Sequence, residues 1–454
     1  MKIQNNLTEG NILSNLVRLA IPIMGTSFIQ MAYNLINMIY LGRVSSNAVA
    51  AAGTAGFFIW LANSLIFIPK TAAEIGISQS IGRDDYKQIK GYTKNTIQLN
   101  IIIGLIYGII MIAFRKDLIA FFNMKDQYVV NMSEAYLLII SLGLSFYFIN
   151  PVFTGIFNGH GDSKTPFKIN TIGIVLNMII DPLLIFGLGP FPRLEVKGAA
   201  IGTIISQAIV TCIFIYYIKR KTNLLSRINL LEKMDIKYIK KIFKLGTPVA
   251  VQNGLFCIFA MFIARIIASF GEIPIAVQKV GSQIEALSWM TAGGFSTAVS
   301  AFVGQNYGAK KWDRIYKGYF TSLSAVIVLG VFTSLLLILG AKPLFSIFIP
   351  DPKVIPYGVD YLRILGYSQL FMCIEICTAG AFNGMGKTMP PSINGVILTG
   401  ARVPAAIILS KPNLLGLNGV WWSISISSIL KGIVLLIWFI ALLKTKKTAK
   451  MITI

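Results

Sequence analysis

The chain has 454 residues, of which 55% are apolar and only 13% are charged, and its formal net charge at pH 7 is +23. A soluble protein is about 25% charged. With a mean hydropathy of +0.70, this chain is too apolar to keep a water-exposed surface over most of its length. The composition therefore predicts an integral membrane protein and excludes a string of soluble domains.

Apolar stretches of about 20 residues, the length that crosses the hydrocarbon core of a bilayer, recur along the whole chain. Two examples are IIIGLIYGIIMIAF at 101–114 and SILKGIVLLIWFIALL at 428–443. Because each backbone amide must be satisfied within its own segment, spans of this length are helical. We predict an all-α integral membrane fold with twelve transmembrane helices, at about residues 15–41, 48–72, 93–115, 130–157, 168–190, 197–218, 242–268, 275–302, 315–342, 356–383, 391–411 and 416–443.

Basic residues are concentrated on one predicted side of the membrane. With the N-terminus inside, the inner loops and the tail carry roughly 25 Lys and Arg residues, against about 10 on the other side. Cytoplasmic loops retain such residues, so the positive charge needs no nucleic-acid partner. We predict a multi-pass protein of the cell (plasma) membrane, monomeric, with the lipid bilayer as its surroundings and both termini cytoplasmic. The polar start MKIQNNLTEGN has no signal-peptide pattern.

The second half of the chain repeats the first. GIFNGHGDSKTP at 155–166 matches GAFNGMGKTMPP at 380–391, and Pro22 and Pro248 keep nearly the same spacing. Each half holds six predicted spans, so we predict two six-helix lobes related by a pseudo-twofold axis along the membrane normal. The basic segment between them is consistent with a surface-lying amphipathic helix or with a solvated linker. The predicted division is an N-lobe at 1–218, a cytoplasmic connector at 219–241 and a C-lobe at 242–454.

The second copy of the repeated motif resembles a phosphate-binding loop. AFNGMGKT would satisfy G-x-x-x-x-G-K-[ST] if Ala381 were glycine. Such a loop follows a strand, whereas this one follows an apolar helix, and the first copy lacks Gly-Lys-Thr. The recurring Asn, Gly and Pro instead indicate a helix end followed by a new helix. We reject an ATPase, and since no catalytic or metal-binding motif is found, we expect neither an enzyme nor a cofactor.

Polar side chains inside the predicted spans are the candidates for function, because they normally face a bundle interior or a water-filled cavity. Gln30, Asn34 and Asn37 are spaced to share one face of the first span. Asn177 and Asp181 share one stripe of the fifth. Asparagines can also serve only as hydrogen-bonding links between helices. A carboxylate at this depth is costly unless it is protonated or paired, which favours a functional role for Asp181.

The repeat serves as an internal control for these polar positions. By spacing, Asn37 corresponds to Ile263, and Asp181 corresponds roughly to Val403. The fold therefore does not require a polar residue at either place, since the other half does without one. This asymmetry favours a role in binding over a role in folding.

The second half has acids of its own within predicted spans. Glu285 lies in GSQIEALSWM and Glu375 in FMCIEICTAG, while Arg265 and Arg402 lie in nearby spans as possible partners. One interpretation is an internal ion pair that locks the helices. The other is a second ion- or substrate-binding site.

The ordered set of motifs resembles the multidrug and toxic compound extrusion (MATE) family of secondary transporters over essentially the whole chain. The resemblance rests on LVRLAIPIMG, YNLINMIYLGR, SQSIGRDDY, the GIFNGHGDSKTP turn, NMIIDPLLIFG and AFVGQNYGAKKW. It implies two lobes that face each other in a V and export of organic cations and amphipathic drugs in exchange for H⁺ or Na⁺. By motif position, Asn177 and Asp181 match the cation site of the family's N-lobe, and Thr203 matches a cavity residue.

One motif departs from the family pattern. Many members have an acid fifteen residues after the first-helix proline, where this chain has Asn37. An amide can offer oxygen to Na⁺ but does not take up a proton at ordinary pH. Some members also carry a seventh-helix acid at the position of Phe256, and Glu285 or Glu375 would then supply the negative charge of the C-lobe. The coupling ion, H⁺ or Na⁺, stays open.

These observations lead to three hypotheses. The first is a cation-coupled antiporter that exports organic cations or amphipathic drugs by alternating access, with Asp181 as the coupling and substrate carboxylate. The second is a flippase for lipid-linked precursors, which would need buried cations such as Arg265 and Arg402 for a pyrophosphate. The third is a receptor or channel.

Overall fold

The computed structural model describes residues 6–124, 126–219 and 229–452. The regular secondary structure of these residues is helical, and no strand occurs among them. The helices are α1 Ile12–Val44, α2 Ser46–Gly82, α3 Tyr86–Ala113, α4 Arg115–Ala120, α5 Gln127–Leu142, α6 Leu144–Gly159, α7 Lys164–Phe186, α8 Glu195–Tyr217, α9 Ile236–Ala268, α10 Glu272–Gly308, α11 Trp312–Leu339, α12 Ala341–Ser346, α13 Ile355–Gly366, α14 Gln369–Gly384, α15 Met389–Gly400, α16 Arg402–Leu409 and α17 Leu417–Ile452.

The helices follow the predicted spans, with two of the spans bent. In the described residues, nine helical segments are long and apolar enough to cross a membrane, and two bent pairs raise the number to eleven. The pairs are α5 with α6, at 53°, and α13 with α14, at 46°. The remaining predicted span, 275–302, lies within α10, a helix of 37 residues that is not among these eleven segments.

A glycine occupies the bend between α5 and α6. Gly143 separates the two helices, and a Cβ at this position would overlap the side chain of Ile204 on α8. The bend therefore coincides with a close approach between α8 and the backbone, which is one of the identifiable causes of helix breaks.

The chain forms two compact units that divide within helices. Gly25–Ala250 form the first unit, and Val251 onward form the second, together with the described residues up to Met24. The first part of α1 thus packs in the second unit, although the predicted N-lobe, 1–218, includes it. The first part of α9 packs in the first unit. Each of these helices contains a proline, Pro22 or Pro248, two residues before it changes unit.

The two units repeat the same glycine packing. In the first unit, a Cβ at Gly155 or Gly159 would press against the α2 backbone at Lys70 or Glu74. In the second unit, the duplicated glycines press in the same way against the α10 backbone. Small residues let helix backbones approach closely within a membrane. The predicted duplication is therefore present in the packing as well as in the sequence. The second-unit pairs are Gly380 with Ser296, and Gly384 with Ser300.

One repeated contact is inverted between the units. In the first unit, Gly76 of α2 lies under the ring of Tyr92 on α3. In the second unit, the corresponding positions are Phe302 of α10, which supplies the ring, and Gly318 of α11, which lies under it. The space is filled by one aromatic ring in both units, but from opposite helices. Close packing fixes the volume at such a contact and leaves open which residue provides it.

The duplicated Asn-Gly motif ends a helix in both copies, as predicted. α6 ends at Gly159 and α14 ends at Gly384. Gly161 and Gly386 follow with positive φ angles of 77° and 73°, which favour glycine. The next helix begins after a short turn in each case, so the motif lacks the preceding strand of a nucleotide-binding loop.

The predicted connector, 219–241, is described only in part. Residues 220–228 lie outside the described residues. The described segment from residue 229 onward is hydrogen-bonded to α3, because Gln98 Nε2 donates to the carbonyls of Leu230 and Glu232, at 2.7 Å each. Lys94 also forms a 2.7 Å ion pair with Glu232. Since α9 already begins at Ile236, the end of the predicted connector is part of a helix.

Candidate ion and substrate site

Asp181 is the centre of a close-packed polar site in the first unit. Its carboxylate is fully buried, with 0% of the residue exposed, in the C-terminal half of α7. Asn177, one turn earlier, donates a hydrogen bond from Nδ2 to Asp181 Oδ1. Gly202 of α8 faces the same oxygen, and a Cβ there would overlap it. Pro182 leaves the carbonyl one turn earlier without its usual amide partner.

A tyrosine that the sequence interpretation missed completes the site. Tyr33 of α1 is buried, and its hydroxyl donates to Asp181 Oδ2 at 3.3 Å. Asn37, one turn further along α1, donates from Nδ2 to the Tyr33 hydroxyl at 3.4 Å. Asn37 therefore reaches the carboxylate through Tyr33. The sequence did offer a signal for Tyr33, because it lies four residues before Asn37 and residues at this spacing share a helix face.

Two further side chains border the carboxylate. Thr203, predicted from the family pattern, lies close to the Tyr33 hydroxyl. Its own hydroxyl also donates to the carbonyl of Ala199 at 2.9 Å. Tyr136 of α5 is buried and close enough to interact electrostatically with Asp181. Helices α1, α5, α7 and α8 thus all contribute to one site.

The other two predicted amides of α1 do not contact this group. Gln30 and Asn34 are exposed, and Gln30 Nε2 donates to Asn34 Oδ1 at 3.2 Å. The predicted polar face of α1 therefore divides, with Asn37 linked to Asp181 through Tyr33 and the other two amides linked to each other. Their roles in ion or substrate binding stay predictions.

The partners of Asp181 are all neutral. Asn177 and Tyr33 donate to it, and the ion pairs found in the described part of the chain do not include it. Asn37 Oδ1 is buried beside this group without a hydrogen-bond partner. A carboxylate that is removed from water and has no cationic partner is expected to bind a proton or another cation.

The second unit holds a separate cluster of ionisable residues. Glu375 of α14 forms a 2.9 Å ion pair with Lys431 of α17, and both side chains are only 10% exposed. Arg402 of α16 donates to the hydroxyls of Ser427 and Ser428 on α17, the latter at 2.9 Å. The predicted internal ion pair therefore exists in this unit for one of the two acids.

The sequence interpretation offered Arg265 and Arg402 as possible partners of these acids, but the ion pair itself is formed by Lys431. Arg265 was a predicted partner, but it is exposed, whereas Lys431 contacts Glu375. Lys431 stands alone in SILKGIVLLIWFIALL. A single lysine in an apolar span requires a nearby partner, and this was the signal that could have identified it. Arg402 lies close enough to both Glu375 and Glu285 to interact electrostatically.

The comparison with known families agrees with the duplicated architecture. The family model described as MatE matches residues 22–183 and, a second time, residues 248–408. The two matches cover more than half of the chain, and they begin at Pro22 and Pro248. The chain belongs to the MATE family. The MATE fold, twelve helices in two lobes, accounts for the helices and bent pairs described above.

Similar MATE proteins cover nearly the whole chain. A probable multidrug resistance protein NorM of Thermotoga maritima is 28% identical over 435 residues, covering 95% of this chain and 92% of that protein. A FAD transporter of Shewanella oneidensis is 23% identical, with 95% of each chain covered. A crystal structure of MATE in complex with MaL6 superimposes with a TM-score of 0.91 at 23% identity, covering 99% of this chain and 100% of that one. This MATE-family chain is therefore a multi-pass membrane transporter whose similar proteins include drug exporters.

Proposed function

We propose that this MATE-family chain is an antiporter that exports organic cations or amphipathic drugs in exchange for H⁺ or Na⁺, with Asp181 as the shared carboxylate. The supporting observation is the full burial of this carboxylate among neutral hydrogen-bond donors. A fixed ion pair would hold such a charge permanently. Neutral donors instead leave it free to exchange one cation for another.

The groups around Asp181 suit either coupling ion. A proton binds the carboxylate directly, and the resulting neutral acid keeps its hydrogen bonds to Tyr33 and Asn177. Sodium requires several oxygen ligands, which the carboxylate and the unpartnered Asn37 Oδ1 can provide. An organic cation competes for the same negative charge, and aromatic rings such as Tyr33 and Tyr136 favour flat apolar cations.

Competition at one carboxylate couples the two fluxes only if the transporter alternates between two states. Each ligand must bind one state more tightly than the other, since equal affinity shifts no equilibrium. We propose alternating access, in which the incoming cation displaces the drug and the drug displaces the cation. Because one chain contains both duplicated halves, we propose that it works as a monomer in the plasma membrane, with both termini cytoplasmic.

The structure bears less directly on the transported substrate than on the coupling carboxylate. The relatives include multidrug resistance proteins and a FAD transporter, so both cationic and anionic cargo need testing. A flippase for lipid pyrophosphates would need free buried cations. In the second unit, however, Arg402 is hydrogen-bonded and Lys431 is ion-paired. This observation favours the exporter.

The proposal is tested by transport of ethidium, an organic cation, in proteoliposomes with a pH gradient or a sodium gradient imposed separately. We expect one gradient to drive ethidium movement in the wild type and to fail with Asp181→Asn. Asp117→Asn, a change at an exposed residue of α4, is the matched control and is expected to transport like the wild type. If Asp181→Asn transports normally, this carboxylate is not the coupling group. Transport of FAD but not of ethidium would contradict the proposed substrate class.

A further inference from the structure

Lys70 is a charged side chain of the first unit that the candidate site does not use. It lies on α2, near the end of the predicted span 48–72, and is half-buried. The packing identifies its counterpart in the second unit, because Gly155 presses against the backbone of Lys70 as Gly380 presses against that of Ser296. The repeated fold thus does not require a lysine here, since the other unit has serine at the same contact. A charged residue within a span that the fold does not need is a candidate for binding.

The Lys70 ammonium has no oxygen partner among the residues that the structure describes. It is in none of their ion pairs and in none of their hydrogen bonds. Glu74, one turn further along α2, attracts it electrostatically without forming an ion pair with it. An ammonium carries three hydrogen-bond donors, and a charge removed from bulk water is costly unless these donors are satisfied. Glu74 therefore supports the positive charge, while the donors of Lys70 remain available to a ligand.

The Lys70 side chain does not extend towards the nearer end of its helix. A lysine that only keeps its charge in water would extend that way, and Gly82, where α2 ends, is about three turns further along. The ammonium instead lies over the ring of Phe67, one turn towards the middle of α2, with Nζ 5.1 Å from the ring centroid. The stem packs at α6, where a Cβ on Gly155 would lie 3.3 Å from Lys70 Cγ. The ring face attracts the ammonium but carries no negative charge to neutralise it.

We infer that Lys70 binds an oxyanion, a carboxylate or phosphate group, of the transported molecule. The inference rests on the proposed function and narrows its substrate class to amphipathic molecules that carry an acidic group. Charge-assisted hydrogen bonds from the ammonium would hold the oxyanion, and the ring of Phe67 offers an apolar surface beside it. One ammonium next to an acid suits a single carboxylate or phosphate. It does not supply the several cations that a lipid pyrophosphate would need.

A pair of dyes that differ only at the acidic group tests this inference. Rhodamine 123 is the methyl ester of rhodamine 110, so only rhodamine 110 carries a carboxylate at neutral pH. Binding of each dye to the purified protein would be measured by fluorescence polarisation. We expect Lys70→Met, which keeps an unbranched apolar stem, to weaken rhodamine 110 binding by roughly ten- to a hundredfold, the value of a hydrogen bond to a charged group. Rhodamine 123 binding should change far less.

Three variants serve as controls. Lys70→Arg keeps the positive charge and is expected to keep the preference for rhodamine 110 over its ester. Lys87→Met, a change at an exposed lysine in the first turn of α3, should bind both dyes like the wild type. If Lys70→Met does not fold, Lys70→Ser gives the same test, because Ser296 already occupies the matching contact in the second unit.

Several results would overturn the inference. They are an equal loss of both dyes in Lys70→Met, an unchanged affinity of this variant for rhodamine 110, and no binding of rhodamine 110 to the wild type. Displacement of rhodamine 110 would also be measured with phosphatidylglycerol. A Lys70-dependent effect of this lipid, without one of the dye carboxylate, would assign the ammonium to a lipid headgroup and overturn the inference too.

Transport separates this inference from the proposed function. Uptake of rhodamine 110 into proteoliposomes, driven by the gradient that drives ethidium, should show a raised KM in Lys70→Met. If the wild type moves ethidium but neither binds nor moves rhodamine 110, the inference fails and the proposed function stands. If rhodamine 110 binds through Lys70 but no dye moves with either gradient, the proposed function fails and the binding site stands.

Discussion

The contact between Gly202 and Asp181 allows the candidate site to be disturbed without removing any of its chemical groups. A Cβ at position 202 would overlap Asp181 Oδ1. To restore normal van der Waals separation, the carboxylate or α8 must move by on the order of an ångström. We therefore expect Gly202→Ala to displace the carboxylate from Tyr33 and Asn177.

The effect on stability is expected to be small. Alanine in a helix gains about 1 kcal/mol over glycine, whereas overpacking a close contact costs about 1–3 kcal/mol. The free energy of unfolding should therefore fall by no more than about 2 kcal/mol. The effect on transport is expected to be larger, because a misplacement of about 1 Å can reduce the rate of a positioned group by roughly a hundredfold.

The assay is gradient-driven ethidium transport in proteoliposomes, with thermal unfolding of the same preparation. Gly53→Ala is the matched control, since Gly53 is also in a helix but has no atom within 4 Å of the place where an alanine methyl group would lie. Equal transport by the two alanine variants would refute the claim that the position of the Asp181 carboxylate matters. If Gly202→Ala unfolds under the assay conditions, transport by both alanine variants would be measured at a lower temperature, with the same two expected rates.

Two further predictions concern the ends of helices. Arg314 donates to the carbonyls of Leu7, Glu9 and Gly10 at 3.0–3.2 Å, so Arg314→Gln should raise amide exchange in the segment before α1 by roughly ten- to a hundredfold. Lys317→Gln, one turn further along α11, should leave amide exchange in this segment unchanged. Equal exchange in the two variants would contradict the inference that Arg314 anchors the segment before α1. Asp85 caps α3, and the Gln88 backbone amide holds the pKa of Asp85 below its usual value. The stabilisation is therefore present above the unfolded-state pKa of about 4 and is lost as the pH falls through the lower folded value. Asp85→Ala should lower the free energy of unfolding by about 1 kcal/mol at neutral pH and by less in acid. Thermal unfolding of both proteins as a function of pH measures this difference. A difference that grows in acid would contradict the capping role.

Most of the architecture was predictable from local sequence patterns. Apolar length predicted the spans, and the duplicated Asn-Gly motif predicted helix ends that the positive φ angles of Gly161 and Gly386 confirm. The asymmetry between the halves identified Asp181, which the structure places in a buried polar site. These features depend on residues that are near in sequence or repeated at a fixed distance, so a single sequence contains them.

Contacts between distant helices were not predictable in the same way. Tyr33 reaches Asp181 across 148 positions of sequence, and Lys431 reaches Glu375 from another helix. Tyr33 shares a helix face with Asn37, and Lys431 is a lone lysine in an apolar span, but neither feature identifies the residue of another helix that it contacts. The change of unit within α1 was also missed, because hydrophobic length reports that a helix crosses the membrane but not which neighbours it packs against.

The central claim is that cation and drug compete for the Asp181 carboxylate, and drug-induced ion release measures this most directly. Purified protein would be loaded at low buffer strength with protons or with ²²Na⁺, and ethidium would then be added. We expect ethidium to release one of these cations from the wild type and to release less from Asp181→Asn, while Asp117→Asn releases as much as the wild type. Undiminished release from Asp181→Asn, or ethidium binding to the wild type with no release of either ion, would contradict the account.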